Sequence, residues 1–264
     1  MSISELSIII VSYNSEKELK SCLDSIFETT DKDFEVIIID NNSQDSSVAI
    51  IRSFKDAVLI ENDENLGFAR AVNQGLKLAR GRYCLLLNPD TKVTRGAVRT
   101  LLNCTKDQTG FAAIGPRLVN LDGTVQSSCF NFPSIKNAIL EFWLGKKDKF
   151  SKYYPKFKKP TEVEAIVGAA MLIPKTALNC VGFFDERYFM YFEDLDWCRR
   201  ANKMGLKIYY CPKAEFLHVH GASGKEIPQK AHKWLVESSK IYYGLVKYYL
   251  VTLIILFGRR FISR

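Results

Sequence analysis

A chain of 264 residues with 47% apolar and 25% charged positions can bury a full core, which excludes an intrinsically disordered protein and bounds it at one large domain or two small ones. Its formal charge of +8 favours an anionic partner, whether a phosphate-bearing ligand, nucleic acid or an anionic membrane surface. Seven scattered cysteines with no C-x-x-C pair disfavour a zinc site and read as reduced thiols acting as small hydrophobes in a cytosolic protein.

The first residues lack a basic stretch, so no secretory signal is expected. Ser7-Ile8-Ile9-Ile10-Val11 then predicts a buried strand ending in Ser12-Tyr13-Asn14. Leu19, Cys22, Leu23, Ile26 and Phe27 recur at the spacing of an amphipathic helix. Residues 34–39 predict a second buried strand, closed by Asp40-Asn41-Asn42-Ser43; a helix begins near Asp45 and a third strand at Ala57. Phe68, Ala71, Val72, Gly75, Leu76 and Ala79 form another helical stripe, stopped by Gly81. Residues 83–87 are the fourth strand, ending in Asn88-Pro89-Asp90, and 94–107 a further helix. Strands alternating with helices at short spacing predict a doubly wound α/β domain with a mostly parallel sheet.

Beyond about residue 110 the rhythm changes. Residues 118–125 predict a hairpin with an Asp122-Gly123 turn. The basic and aromatic run 146–159 has no period and reads as an exposed loop, disordered unless bound; nucleic-acid contact is its weaker reading, and no nucleic-acid partner is expected. Residues 163–173 predict a strand, 194–204 a helix and 207–210 a strand. The organisation expected is one domain, residues 1–225, of two halves meeting near residue 115, and a helical tail over 226–264. In that tail the uninterrupted apolar part, 248–257, is too short to span a bilayer, and its flanking aromatic and basic residues suit a helix lying at a membrane surface. The competing reading is packing on the domain, or on a second subunit as a homodimer.

The polar strand ends converge on one rim of such a sheet, where open α/β folds bind ligands. Neither G-x-G-x-x-G nor G-x-x-x-x-G-K-[ST] stands after the first strand, which disfavours hydride-transfer and P-loop chemistry. A phosphate ligand then calls for a divalent ion held by carboxylates, and Asp90 is placed for it. Glu193, Asp194 and Asp196 open a helix behind the aromatic run 189–192; acids favour a helix N-terminus, with Asp194 a plain N-cap, while the aromatics would raise a carboxyl pKa toward that of a base.

The set Ile10-Val11-Ser12-Tyr13-Asn14, Ile39-Asp40-Asn41-Asn42-Ser43, Glu64-Asn65-Leu66-Gly67-Phe68-Ala69, Leu87-Asn88-Pro89-Asp90 and Phe192-Glu193-Asp194-Leu195-Asp196 resembles the family 2 glycosyltransferases, and most of all their bacterial rhamnosyltransferase-like branch. The motifs stand in the family's order over roughly residues 7 to 220. The resemblance implies a GT-A fold, with a nucleotide-sugar half and an acceptor half in one continuous sheet. It implies that Asp40 contacts the nucleobase, that Val11 and Tyr13 line the nucleoside pocket, and that Asn42, Asn65, Gly67 and Asn73 lie near the sugar-nucleotide. Asn88-Pro89-Asp90 occupies the place of the Asp-x-Asp metal motif, and Asn88 in place of its first Asp leaves Asp90 the sole carboxylate there.

By the same resemblance Asp194 is the general base on the acceptor hydroxyl, preferred to Glu193, with Asp196 and Arg199 bracing the acceptor side. His218 or His220 joins Asp90 around Mg2+ or Mn2+, a role set against plain packing. Gly168 lets a sugar approach closely, or serves tight strand packing. The reaction so implied is an inverting transfer from a nucleotide-diphosphate sugar, dTDP-rhamnose first and a UDP-hexose second, to a glycan or lipid-linked acceptor at the cytoplasmic face of the plasma membrane. The alternatives are a GT-A nucleotide-sugar-binding protein that has lost catalysis and a sugar-phosphate nucleotidyltransferase.

Overall fold

The computed structural model describes residues 5–30, 33–219 and 228–262. Its first half is built as the apolar pattern dictates: β1 (Leu6–Ser12), α1 (Glu16–Thr29), β2 (Phe34–Asp40), α2 (Ser47–Arg52), β3 (Ala57–Glu61), α3 (Phe68–Leu78) and β4 (Tyr83–Leu87). Strands β3, β2, β1 and β4 lie side by side and all parallel. Ile9, Ile37, Ile39 and Leu86 face α3, whereas Ile8, Ile10, Ile38 and Leu85 face α1. The two-residue period of a strand buried on both faces thus explains the unbroken apolar runs. The chain passes from β1 to β2 on one side and returns to β4 on the other. This makes the β1/β4 boundary the topological switch point, where a crevice opens at the carboxyl ends of the strands.

The second half adds β5 (Thr91–Val93), α4 (Ala97–Lys106), β6 (Phe111–Val119), β7 (Cys129–Phe130), α5 (Ile135–Phe142), β8 (Thr161–Val163), β9 (Ala165–Ile166), β10 (Ala170–Pro174), α6 (Lys175–Val181), α7 (Glu193–Lys203) and β11 (Lys207–His218). Among the described residues the sheet has nine strands, with β10, β6, β11 and β5 continuing beyond β4 and β8 paired to β11. The sheet is parallel in the first half and mixed in the second, because β10 runs antiparallel to both β4 and β6. That reversal brings the start of β10 to the end of β4, where Asn88 N–H donates to Ala169 O at 2.9 Å. Antiparallel pairing of β11 with β5 likewise sets His218 opposite Thr91.

Several expectations are corrected. Residues 163–173 are three short strands rather than one. The Asp122-Gly123 turn reverses the chain as expected, but the antiparallel pairing around it is short, a single Val119–Val125 bridge with flanking backbone hydrogen bonds. Cys104 and Cys211 form a disulfide: α4 lies on β11 and brings the two Cα atoms to 6.6 Å across a sequence separation of 107, so these two are not free thiols. The run 146–159 is a folded loop, in which Tyr153 and Cys129 exchange backbone hydrogen bonds of 2.8 and 2.9 Å.

The tail forms α8 (Pro228–Tyr243) and α9 (Leu245–Ile262), bent by 119° at Gly244. Helix α8 packs on the domain through buried Ser238, Ser239 and Tyr242, and α9 lies against α5. Among the described residues no single helix is long and apolar enough to cross a membrane. The outer face of α9 nonetheless leaves Val246, Tyr249, Leu250, Leu253 and Leu256 exposed.

Candidate active site

A cavity of about 550 Å3 opens at the switch point. Val11 and Tyr13 enter it from the end of β1, Asn65 and Gly67 from the turn before α3, Asn88 and Asp90 from the end of β4, and Gly168 from the approach to β10. Glu193 and Asp194 enter from the start of α7, and His218 from the end of β11. Gly67 needs its missing side chain: its φ is +83°, and an added Cβ would lie 2.6 Å from Phe189 O. Asn65 Oδ1 accepts the Gly67 N–H at 2.9 Å, and Phe68 N–H donates to Phe189 O at 2.7 Å. The turn before α3 is thereby tied to the segment leading into α7.

Other expected residues stand apart from the cavity lining. Asp40 is buried beside it, accepting from both the N–H and the hydroxyl of Ser43. Asn42 is exposed and donates to Asp63 O. Asn73 is corrected to a structural residue, because both ends of its carboxamide are taken by the backbone of Phe184. Asp196 pairs with Arg199 at 2.7 Å and Arg200 at 2.9 Å, and the Arg199 guanidinium lies 3.9 Å from the centre of the Tyr242 ring. These residues fasten α7 to its neighbours and do not reach the cavity. His220 lies outside the described residues.

Asp90 and His218 form the cation candidate. The Gln126 side-chain amide donates to Asn120 Oδ1 and His218 O, both at 2.6 Å, so its Oε1 faces His218 Nδ1 at 2.8 Å. Nδ1 therefore carries a proton, and Nε2 faces Asp90 Oδ1 at 3.3 Å. Both side chains are buried, and Asp90 Oδ1 receives no hydrogen bond. That arrangement fits a divalent cation with two protein ligands, the remaining positions suiting phosphate oxygens and water. No cluster of three or more metal-binding side chains occurs among the described residues.

Asp194 is not the N-cap; that position falls to Phe192. Asp194 Oδ2 accepts from Gly168 N–H at 3.0 Å and Oδ1 from Leu195 N–H at 2.7 Å. Burial raises its carboxyl above the ordinary aspartate range, while those two donors and the Lys152 ammonium pull it back. Burial, reinforced by the Asp194 charge, pushes Glu193 well above the usual range, and its Oε2 has no hydrogen-bond partner. Both carboxyls are pushed up, Glu193 the more strongly, so the pair keeps a proton to higher pH than free carboxylates do. The folded chain keeps that proton above pH 4.5, where the unfolded chain releases it, so stability falls as pH rises through the window. Glu193→Gln is expected to raise the melting temperature at pH 8 by about 2 °C or more, and by less at pH 5, as thermal unfolding at both pH values would show.

Sequence reasoning missed the α8 wall. Ala231, His232, Trp234 and Leu235 line the cavity, Trp234 packs on Phe189 with ring centres 4.7 Å apart, and Ser238 donates to Met190 O. Tyr191 and Phe192, at φ 71° and 67°, adopt the left-handed conformation at the entry to α7. Packing of Phe192 on Tyr242 and Tyr243 holds them there. Lys152, from the basic loop, and Gln126 were also missed. A basic run without period gives no register, and Gln126 becomes informative only through its contact with His218.

The open α/β sheet, with Asp90, His218 and Asp194 lining one cavity at its switch point, has a GT-A fold. The sequence profile of Glycosyl transferase family 2 matches residues 7–182, and the chain belongs to that family as a glycosyltransferase. It is 29% identical over 231 residues to the N-acetylglucosaminyl-diphospho-decaprenol L-rhamnosyltransferase of Mycobacterium tuberculosis, covering 81% of this chain and 75% of that protein. It is 25% identical to the rhamnosyltransferase WbbL of Escherichia coli, covering 88% and 90%. Its fold matches that of GalNAc-T7, solved with UDP, GalNAc and Mn2+, at a TM-score of 0.65 and 16% identity, covering 83% of this chain and 44% of that one.

Proposed function

We propose that the chain transfers a sugar, with inversion, from a nucleotide-diphosphate donor to a hydroxyl of a glycan or lipid-linked acceptor. One observation carries this reading: the Asp90–His218 pair and the Asp194 carboxylate line the same cavity. Val11, Tyr13 and the turn at Asn65 and Gly67 bind the donor, and Asp90 with His218 holds Mg2+ or Mn2+ at its diphosphate. When bound, the cation offsets charge developing on the leaving diphosphate. Asp194, held by two backbone N–H groups, takes the proton of the acceptor hydroxyl, whose oxygen attacks the anomeric carbon opposite the diphosphate. Trp234 and Leu235 of α8 line the same cavity.

The rhamnosyltransferase relatives support dTDP-rhamnose as the first donor, a UDP-hexose being the second. A panel of nucleotide sugars with Mn2+ should contain one that raises the melting temperature by several degrees; no shift from any of them would refute the donor site. The exposed apolar face of α9 and the seven lysines of residues 146–159 support attachment to the inner face of the plasma membrane. Val246→Glu with Leu253→Glu is expected to abolish co-flotation with anionic vesicles and leave the melting temperature within about 2 °C, because neither side chain is buried. Undiminished flotation would dismiss the membrane face.

A further inference from the structure

We infer that Asn41 is a positioning residue for the donor: with Asn62 and Gln74 it forms a relay of three carboxamides that holds the turn at Asn65 and Gly67 in its binding shape. The inference rests on the donor reading of that turn and adds to it the residues that set its geometry.

The relay runs from α3 to the cavity, one side chain at a time. Gln74, on α3, and Asn62, directly after β3, pair reciprocally. Gln74 Nε2 donates to Asn62 Oδ1 at 2.9 Å, and Asn62 Nδ2 donates to Gln74 Oε1 at 3.0 Å. Asn62 Nδ2 has a second hydrogen, which goes to Asn41 Oδ1 at 2.8 Å. Asn41 must then turn its own amide nitrogen the other way, and Nδ2 donates to Gly67 O at 3.2 Å. Each carboxamide thus fixes the orientation of the next. Position 41 needs an acceptor at one end and a donor at the other. A carboxylate of the same shape would set oxygen against oxygen at Gly67.

The last bond falls where the turn is easiest to redirect. Gly67 is the N-cap of α3 at φ +83°, and no side chain caps that helix. Three bonds from outside the helix restrain its two peptides. Asn41 donates to its carbonyl, Asn65 Oδ1 accepts its N–H at 2.9 Å, and Phe189 O accepts the Phe68 N–H at 2.7 Å. Asn65 and Phe189 belong to loops, whereas Asn41 stands directly after β2, with its backbone N–H on Ser12 O at 2.8 Å. The Asn41 bond therefore ties the turn to the sheet. Asn41 is 2% exposed and lines the cavity; Asn62 and Gln74 do not line it. Rotation of the Gly67 peptide would carry with it the Asn65 carboxamide, whose oxygen is bound to the Gly67 N–H.

The test is calorimetric titration, with Mn2+ present, of the nucleotide sugar that most raises the wild-type melting temperature, well below the melting temperature of each variant. Asn41→Asp is expected to weaken its binding about tenfold or more, and Gln74→Ala about threefold although Gln74 is off the cavity. The double variant is expected to bind within about twofold of Asn41→Asp, because a relay broken at Gly67 has nothing left to transmit. In turnover the loss should fall on the donor KM. At saturating donor, kcat should stay within about threefold of wild type, because Asp194 keeps both its backbone donors. If Asn41→Asp does not fold, Gln74→Ala decides alone. The inference is overturned if either folded variant binds the nucleotide sugar as wild type does, if the two losses multiply as for independent contacts, or if kcat falls with KM unchanged. Lower melting with normal nucleotide-sugar binding would make the relay a structural device and leave the donor reading intact. Failure of every nucleotide sugar to bind wild type would refute the donor reading, and this inference with it.

Discussion

Asp194→Asn is expected to lower kcat by about 10²–10⁴ while leaving the donor Kd within about threefold, the loss typical of removing a positioned base. Asparagine can still accept the Gly168 N–H through its amide oxygen, so the entry to α7 should hold and the deficit should lie in chemistry. Burial raises the Asp194 carboxyl, so the acid limb of the wild-type rate profile should fall above the ordinary aspartate range. Activity is then present above that limb and lost below it as Asp194 takes up a proton. Steady-state kinetics with donor binding measured in parallel would check both points. An unchanged kcat would pass the role to another group, with Glu193 next in place.

Asp90→Ala should remove cation-dependent binding of the nucleoside diphosphate, weakening Mn2+ affinity in its presence about 100-fold and kcat/KM by a similar factor. Titration of Mn2+ followed by electron paramagnetic resonance separates this from a folding defect. The substitution deletes the carboxylate that faces His218 Nε2 and leaves the imidazole in place. Gln126→Ala should weaken Mn2+ binding less, about tenfold, because it frees the Nδ1 proton that fixes the tautomer without removing a ligand. Mn2+ affinity unchanged in Asp90→Ala would move the cation elsewhere.

The nucleotide half was legible because its strands are buried on both faces and its helices carry one apolar stripe. Residues 83–87 and the α3 stripe from Phe68 to Ala79 coincide with β4 and α3 to within a residue. The second half resisted because its order is set by partners far away in sequence. Strand β6 carries Gly115 and Pro116, which reads as a break, yet parallel pairing with β11 keeps it extended. Strand β11 continues past Tyr210 to His218 through a register shift that no local pattern announces. The site divides in the same way. Asp90, Asp194, Asn65 and Gly67 were visible as motifs at strand and helix ends. Asn73 was misjudged because its polar side chain turns inward to the Phe184 backbone, a contact across 111 residues. Lys152 and Trp234 went unrecognised because a loop and a tail were read by composition, whereas packing brings both to the cavity.

That packing also changes what the tail does. Removing it whole would strip Trp234 from Phe189 and Tyr242 from Phe192 and Arg199, so a truncated chain would lose its hold on the entry to α7 along with the α9 face. Substitutions confined to the outer face of α9 separate the two roles.

The central claim is an inverting transfer in which Asp194 activates the acceptor, and the configuration of the newly formed glycosidic bond tests it most directly. With the donor that the binding panel identifies, nuclear magnetic resonance of the product should show the anomeric carbon inverted relative to the nucleotide sugar. Retention of configuration would contradict the account.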